Sequence, residues 1–414
     1  MTDDASMRPE AGGSDGIGFG ALILPMAVVM APQTMLAAVQ HGLAVLGPEI
    51  TRAAGLPPEA VGLIAGLSGA GAVWFFAASA AIVEPLGSGR TLTAACLLSA
   101  LAALVITTGW APLVLLAAPF VGFAYAATAP AGSQILVEAT PRRLWSSLFS
   151  IRMAGVPAGG AFAGVVAAGL AAALSWRVGL GAMALAPLAC AGFLALAAKR
   201  WRGPARGRLR LAAIASPRNL ATPFAVLRRS PALRRLTFAS LGFAAVQGSA
   251  FTFLTTYLTD GVGLTLALAG ALFATMQGAS FVGRIGMGLL ADRLGGPRRV
   301  LIGLGAASAL GSVLLTQASA ELPVWALFAG AAATGASVAT WNGLFLAQIA
   351  SSVPADDVGA ATSASTFFTF LGYMATPICF AGLSLMIGYE ASYLVAGLCV
   401  IGATLTLATG GRET

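Results

Sequence analysis

Charge is what this chain has least of. Only 9% of its 414 residues are Asp, Glu, Lys or Arg and 58% are apolar, where soluble domains carry ~25% charged and ~45 to 50% apolar residues. An ordinary soluble enzyme is excluded. The one histidine, His41, and the four cysteines, Cys96, Cys190, Cys379 and Cys399, lie in apolar runs. Their spacing suits neither a metal site nor a disulfide framework, so no metal and no cofactor are expected. No GxxxxGK[ST] loop occurs, which removes direct ATP use, and no acid, base and nucleophile constellation suggests an enzyme. With 52 Gly, 21 Pro and a mean hydropathy of +0.87, the alternating strands of a membrane barrel are excluded as well. An all-α membrane protein remains.

A spanning helix needs about 20 mostly apolar residues. Twelve such runs are present: 19–47, 60–83, 91–109, 112–137, 145–173, 178–198, 236–259, 265–290, 300–320, 322–350, 358–389 and 391–411. Six precede and six follow one polar stretch. The expected organisation is a disordered tail over 1–18, a six-helix half over 19–198, a basic linker over 199–235 and a second six-helix half over 236–411. Eleven of the 23 basic residues and no acid fall in the linker, leaving 12 basic residues against 15 acids elsewhere. Short basic loops stay cytoplasmic. The linker and both termini are therefore expected inside a bacterial inner membrane, and the basic stretch is read as a topology signal rather than a nucleic-acid site.

Between the eighth and ninth runs the chain reads GMGLLADRLGGPRR, Gly286 to Arg299. With Gly288, Asp292, Arg293, Gly295, Arg298 and Arg299, this resembles the signature loop of the major facilitator superfamily. A degenerate counterpart stands 208 residues earlier, with Glu84 and Pro85 in place of Asp292 and Arg293. The resemblance implies the twelve-helix fold of that superfamily and gives Gly288, Asp292, Arg293 and Arg298 the role of a conformational latch. The segments SIRMAGVPAGGAFAG (Ser150 to Gly164), SWR (Ser175 to Arg177) and TWNGLFLAQIASSVP (Thr340 to Pro354) resemble a bacterial branch that includes cyanate-permease-like and other small-anion carriers. The spacing from Arg284 to Gly288 and Asp292 is similar to that in monocarboxylate and oxalate/formate carriers, which implies that Arg284 faces a carboxylate. Two positions depart from the superfamily. Ala118 stands where many proton-driven members place an arginine, and GVPAGG replaces the Gly-Pro dipeptide of drug exporters.

Within the twelve runs only Arg152 and Arg284 are permanently charged. An intramembrane charge is a functional-site hypothesis by default. At 1.5 Å per residue, both lie roughly 12 to 14 Å from the linker-side helix ends. No acid stands inside any run, so the missing counterion is expected to be the substrate, which a guanidinium fork can hold by two parallel hydrogen bonds. The alternative is that an arginine snorkels or bonds helix carbonyls. The polar residues Gln33, Gln40, Tyr125, Gln247, Gln277, Trp341 and Asn342 are expected to complete a central cavity, on the helices that the resemblance makes cavity-lining together with the eighth. Gln247 is the second-half mate of Gln40, 207 residues later. His41 is a candidate to carry a coupling proton in a symport. The reading is a monomeric secondary transporter that moves a small organic or inorganic anion through the bilayer by alternating access. A drug or metabolite exporter and a non-transporting solute sensor are the alternatives.

Overall fold

The computed structural model describes residues 19–140, 148, 151–197, 209–216, 218–294, 296–354 and 358–409. Its described residues are helical throughout, with short connections. The membrane-crossing helices are α1 (Phe19–Val45), α2 (Ala60–Leu86), α3 (Ser88–Ile106), α4 (Ala111–Ala139), α5 (Ile151–Ala173), α6 (Trp176–Ala197), α7 (Pro231–Gly261), α8 (Leu266–Arg293), α9 (Pro297–Thr316) and α10 (Val324–Ser352). A last helical stretch, Val358–Thr409, is broken at Gly388, whose φ of 81° only glycine adopts readily. It supplies α11 (358–387) and α12 (389–409), which completes twelve crossings among the described residues.

Glycine sets how closely these helices pack. In lipid there is no hydrophobic drive between helices, so close backbone approach supplies the attraction. On α2, Gly71 lies against the Pro119 backbone of α4, and on α4, Gly122 lies against the Ser68 backbone of α2. A side chain at either position would occupy its neighbour's carbonyl. Gly71→Val is expected to cost about 3 kcal/mol or more of folded-state stability, read as a lowered thermal midpoint of the purified protein. An unchanged midpoint would show that the α2–α4 contact is looser than described. Four of the five glycines of α5 divide by face: Gly155 and Gly159 meet Gln33, Thr34 and Ala37 of α1, while Gly160 and Gly164 meet Gln277 and Ala274 of α8.

Several elements differ from the sequence expectation. The helix expected from residue 236 begins at Pro231, where Ser230 caps it by accepting from the Leu233 amide at 3.2 Å. The described part of the linker holds two short helices, Leu211–Ile214 and Arg218–Arg229. The Trp74 indole of α2 donates to the Ile214 carbonyl, and Phe224 packs on Phe367 and Phe368 of α11. Single π-turns interrupt α5 at Ala163–Ala167 and end α7 at Tyr257–Gly261. The largest departure is in α10, which is interrupted at residues 339–341 between Val324–Val338 and Asn342–Ser352. Irregular backbone at membrane depth persists only where protein or a cavity satisfies it. Here the freed Ala339 carbonyl accepts from Ser280 Oγ at 3.3 Å and Arg284 Nε at 3.2 Å.

At the face opposite the linker the two halves of the chain touch. Arg52, in the α1–α2 connection, donates to Glu49 at 2.6 Å and lies 3.5 Å from Asp260 of α7. Tyr389 of α12 donates to Glu59 at 3.5 Å, and Gly62 of α2 is packed against Pro377 and Ala381 of α11. Of the expected latch, Gly288 borders open space, Arg293 is exposed and Arg298 donates to the Leu407 carbonyl through Nε at 3.1 Å and through its NH2 nitrogen at 2.6 Å. The Asp292 side chain and Gly295 lie outside the described residues.

Candidate functional site

Between the halves lies a cavity of about 240 Å³. Its walls come from α1, α2, α4, α5, α7, α8, α10 and α11, and much of them is apolar, with Phe251, Phe345 and Phe370 the largest groups. The polar lining includes Gln40, His41, Tyr125, Gln247, Arg284 and Asn342, six of the residues singled out from sequence. Among the described residues no acid lines it.

Gln247 is the best-fixed group in this wall. Its Oε1 accepts three hydrogen bonds, from Trp341 Nε1 at 2.8 Å, Tyr373 Oη at 2.7 Å and Asn342 Nδ2 at 3.4 Å. An indole nitrogen can only donate, so the atom it meets must be the carboxamide oxygen. The Gln247 amide nitrogen, with its two donors, is then what remains for the cavity. On the other side of the pseudo-symmetric pair, Gln40 Oε1 accepts from Ser68 Oγ at 2.8 Å, which leaves that amide nitrogen free as well.

Arg284 enters from α8, on the helical face shared with Ser280 four residues earlier. Nε holds the Ala339 carbonyl at the break in α10, and one terminal nitrogen, NH1, holds the Met153 carbonyl of α5 at 3.2 Å. The guanidinium therefore bridges the two halves. Its NH2 nitrogen has no hydrogen-bond partner among the described residues. His41 lies edge-on to Phe251 at 5.3 Å and tilted to Phe273 at 5.8 Å between ring centres, in the same cavity as Arg284.

The structure does not bring all the expected residues to the cavity, and four lie outside its lining. Arg152 is 3% exposed and spends its guanidinium inside the first half: on Ser133 Oγ at 3.2 Å, Gln33 Oε1 at 3.1 Å, and the Thr128 and Ala129 carbonyls at 2.8 and 3.3 Å. For this residue, bonding to helix carbonyls is what the structure shows. Gln33 is buried with it. Gln277 is fully buried in the α5–α8 contact against Gly160. Trp341 is fully buried too, stacked on Phe243 with 5.0 Å between ring centres, and acts on the cavity only through Gln247. Sequence reading misses Ser68 and Tyr373 because it looks to other helices for the wall. A signal is present on α11, where Ser365, Thr369 and Tyr373 recur every four residues and so share one face.

Comparison with solved structures finds the same architecture. A peptide transporter, POT, crystallised in complex with sulfate is 15% identical, with 93% of each chain covered and a TM-score of 0.73. A point mutant of the nucleoside transporter NupG is 14% identical, covering 93% of this chain and 99% of its own, with a TM-score of 0.75. A bacterial homolog of the human lysosomal transporter Spinster, inward-facing and unoccupied, is 14% identical with 96% of both chains covered and a TM-score of 0.72. At such identities these likenesses speak for the fold alone. No curated protein matches the chain. The family model of the Major Facilitator Superfamily matches residues 30–377, most of the sequence. The chain thus belongs to the major facilitator superfamily, and it is an integral membrane transporter rather than an enzyme.

Proposed function

We propose that this transporter carries a small organic or inorganic anion, carboxylate-like in its hydrogen bonding, by alternating access. One observation carries the reading: one cavity is lined by a permanent cation, Arg284, and by the carboxamides of Gln40 and Gln247, whose oxygens are already engaged, with no acid among the described lining residues. A planar guanidinium with a free terminal nitrogen suits a carboxylate oxygen, and a charge-assisted bond there is about twice as strong as a neutral one. The aromatic walls suit an anion with an apolar body. The basic linker and both termini face the cytoplasm of a bacterial cell in this reading. An impermeant thiol reagent that labelled a cysteine placed in the linker from outside intact cells would refute that orientation.

A thermal-shift screen tests the substrate class, since a ligand that binds only the folded form raises the midpoint. Benzoate, acetate, succinate and inorganic phosphate are compared with benzamide and with a cationic drug. Shifts confined to anions support the reading. A shift with benzamide equal to that with benzoate, or with the cation alone, overturns it in favour of a metabolite or drug exporter.

A further inference from the structure

Arg284 creates a difficulty for the empty carrier. Alternating access requires the two halves to close over the cavity before they part on the other face. With an anion on the guanidinium, the closing cavity is close to neutral. Without one, a charge that cannot lose its proton is withdrawn from water with only the Ala339 and Met153 carbonyls on it, and carbonyl dipoles do not cancel a full charge. Arg152 poses no such problem. All four of its partners belong to the same half as itself, so its surroundings travel with it. The Met153 bond acts in the same direction as the charge, because it ties α8 to α5 whenever no anion competes for the fork.

From this we infer that the protein is an exchanger: it crosses from one face to the other with an anion bound and returns only with another, its empty form being held by the charge of Arg284. The inference rests on the anion reading for the identity of the cargo. It replaces proton symport through His41 as the transport mode, since a proton on His41 would add to the positive charge of an empty cavity instead of removing it.

The empty step can be observed without knowing the cargo. Ala381, packed against Gly62 where the far face is closed, is changed to cysteine in a background in which the exposed Cys379 and Cys399 are alanine. The protein is placed in nanodiscs, so that both faces meet solvent, in a buffer whose only anion is the bulky sulfonate of Hepes. The rate of maleimide labelling then reports how often the empty carrier opens its far face. With Arg284 intact, labelling is expected to be at least tenfold slower than at Glu321→Cys, an exposed position in the α9–α10 connection. Arg284→Gln is expected to accelerate it tenfold or more. Arg284→Lys, which keeps the charge and loses the fork, stays within about threefold of the parent. Melting of each variant confirms that it is folded.

Labelling of the parent as fast as Glu321→Cys overturns the inference, as does an Arg284→Gln variant no faster than the parent. A lysine variant as fast as glutamine also overturns it, because the hydrogen bond to Met153 rather than the charge would then be the restraint. These outcomes are separate from the thermal-shift screen. A cavity that binds neutral solutes removes the anion cargo but leaves the charge dependence of the labelling rate as measured.

Discussion

Arg284→Gln is expected to weaken anion binding by about 2 to 5 kcal/mol, roughly 30-fold to several thousandfold. The loss has two parts that substitution can separate. Lysine preserves the positive charge but offers a compact ammonium in place of a planar fork, so Arg284→Lys should fall between the parent and glutamine. Arg152 provides the contrast. Its guanidinium is committed to Ser133, Gln33 and two carbonyls of α4, so Arg152→Lys should lower the melting midpoint while leaving anion affinity within about threefold. Titration of each variant with the anion that gives the largest shift is the measurement. Unchanged affinity in Arg284→Gln would remove the anchor from the proposed site, and a large affinity loss in Arg152→Lys would return that residue to it.

The second large effect is expected at Gln247. In Gln247→Glu one carboxylate oxygen can keep the three donors from Trp341, Asn342 and Tyr373, so the fold is retained. The other oxygen takes the place of the amide nitrogen that faces the cavity. A donor becomes a negative charge, and juxtaposed like charges cost several kcal/mol. Anion binding should therefore drop by about a hundredfold or more. Gln247→Leu should behave differently, because it strands the buried indole N–H of Trp341, a penalty of about 1 to 3 kcal/mol in stability. The pair is read from the melting midpoint with and without ligand. If Gln247→Glu binds the anion as well as the parent, the amide nitrogen does not meet the cargo and the donor-rich description of the cavity is wrong.

The membrane-crossing helices are legible because a bilayer demands long apolar runs, and those runs are unmistakable in a chain this poor in charge. Even the turn at Gly388 can be placed, since the apolar pattern pauses there. The interruption of α10 is not legible. No proline or glycine stands at residues 339–341, and the local sequence gives no reason to stop. The reason is tertiary: Ser280 and Arg284 take the Ala339 carbonyl, while Trp341 is drawn onto Phe243 and Gln247. The same limit governs the site. That Arg152 and Arg284 need partners follows from their types, but only the fold shows that Arg152 finds its partners within one half while Arg284 reaches across to Met153. The linker is a smaller lesson. Its charge is plain, but the Ser230-Pro231 cap that starts α7 lies within the basic run, where the charge hides it.

The triple acceptance at Gln247 also bears on how such a cavity can change over generations. Only the Trp341 indole is a donor that no rotation can turn into an acceptor; Tyr373 and Asn342 repeat its instruction to the carboxamide. Redundancy of that kind frees two wall positions to drift. A phenylalanine at 373 or an alanine at 342 would reshape the chamber while the Trp341 indole still fixed which way the Gln247 carboxamide points. New cargo of the same charge could then be acquired by stepwise resculpting, with the tryptophan at the helix break as the fixed point around which the lineage diversifies.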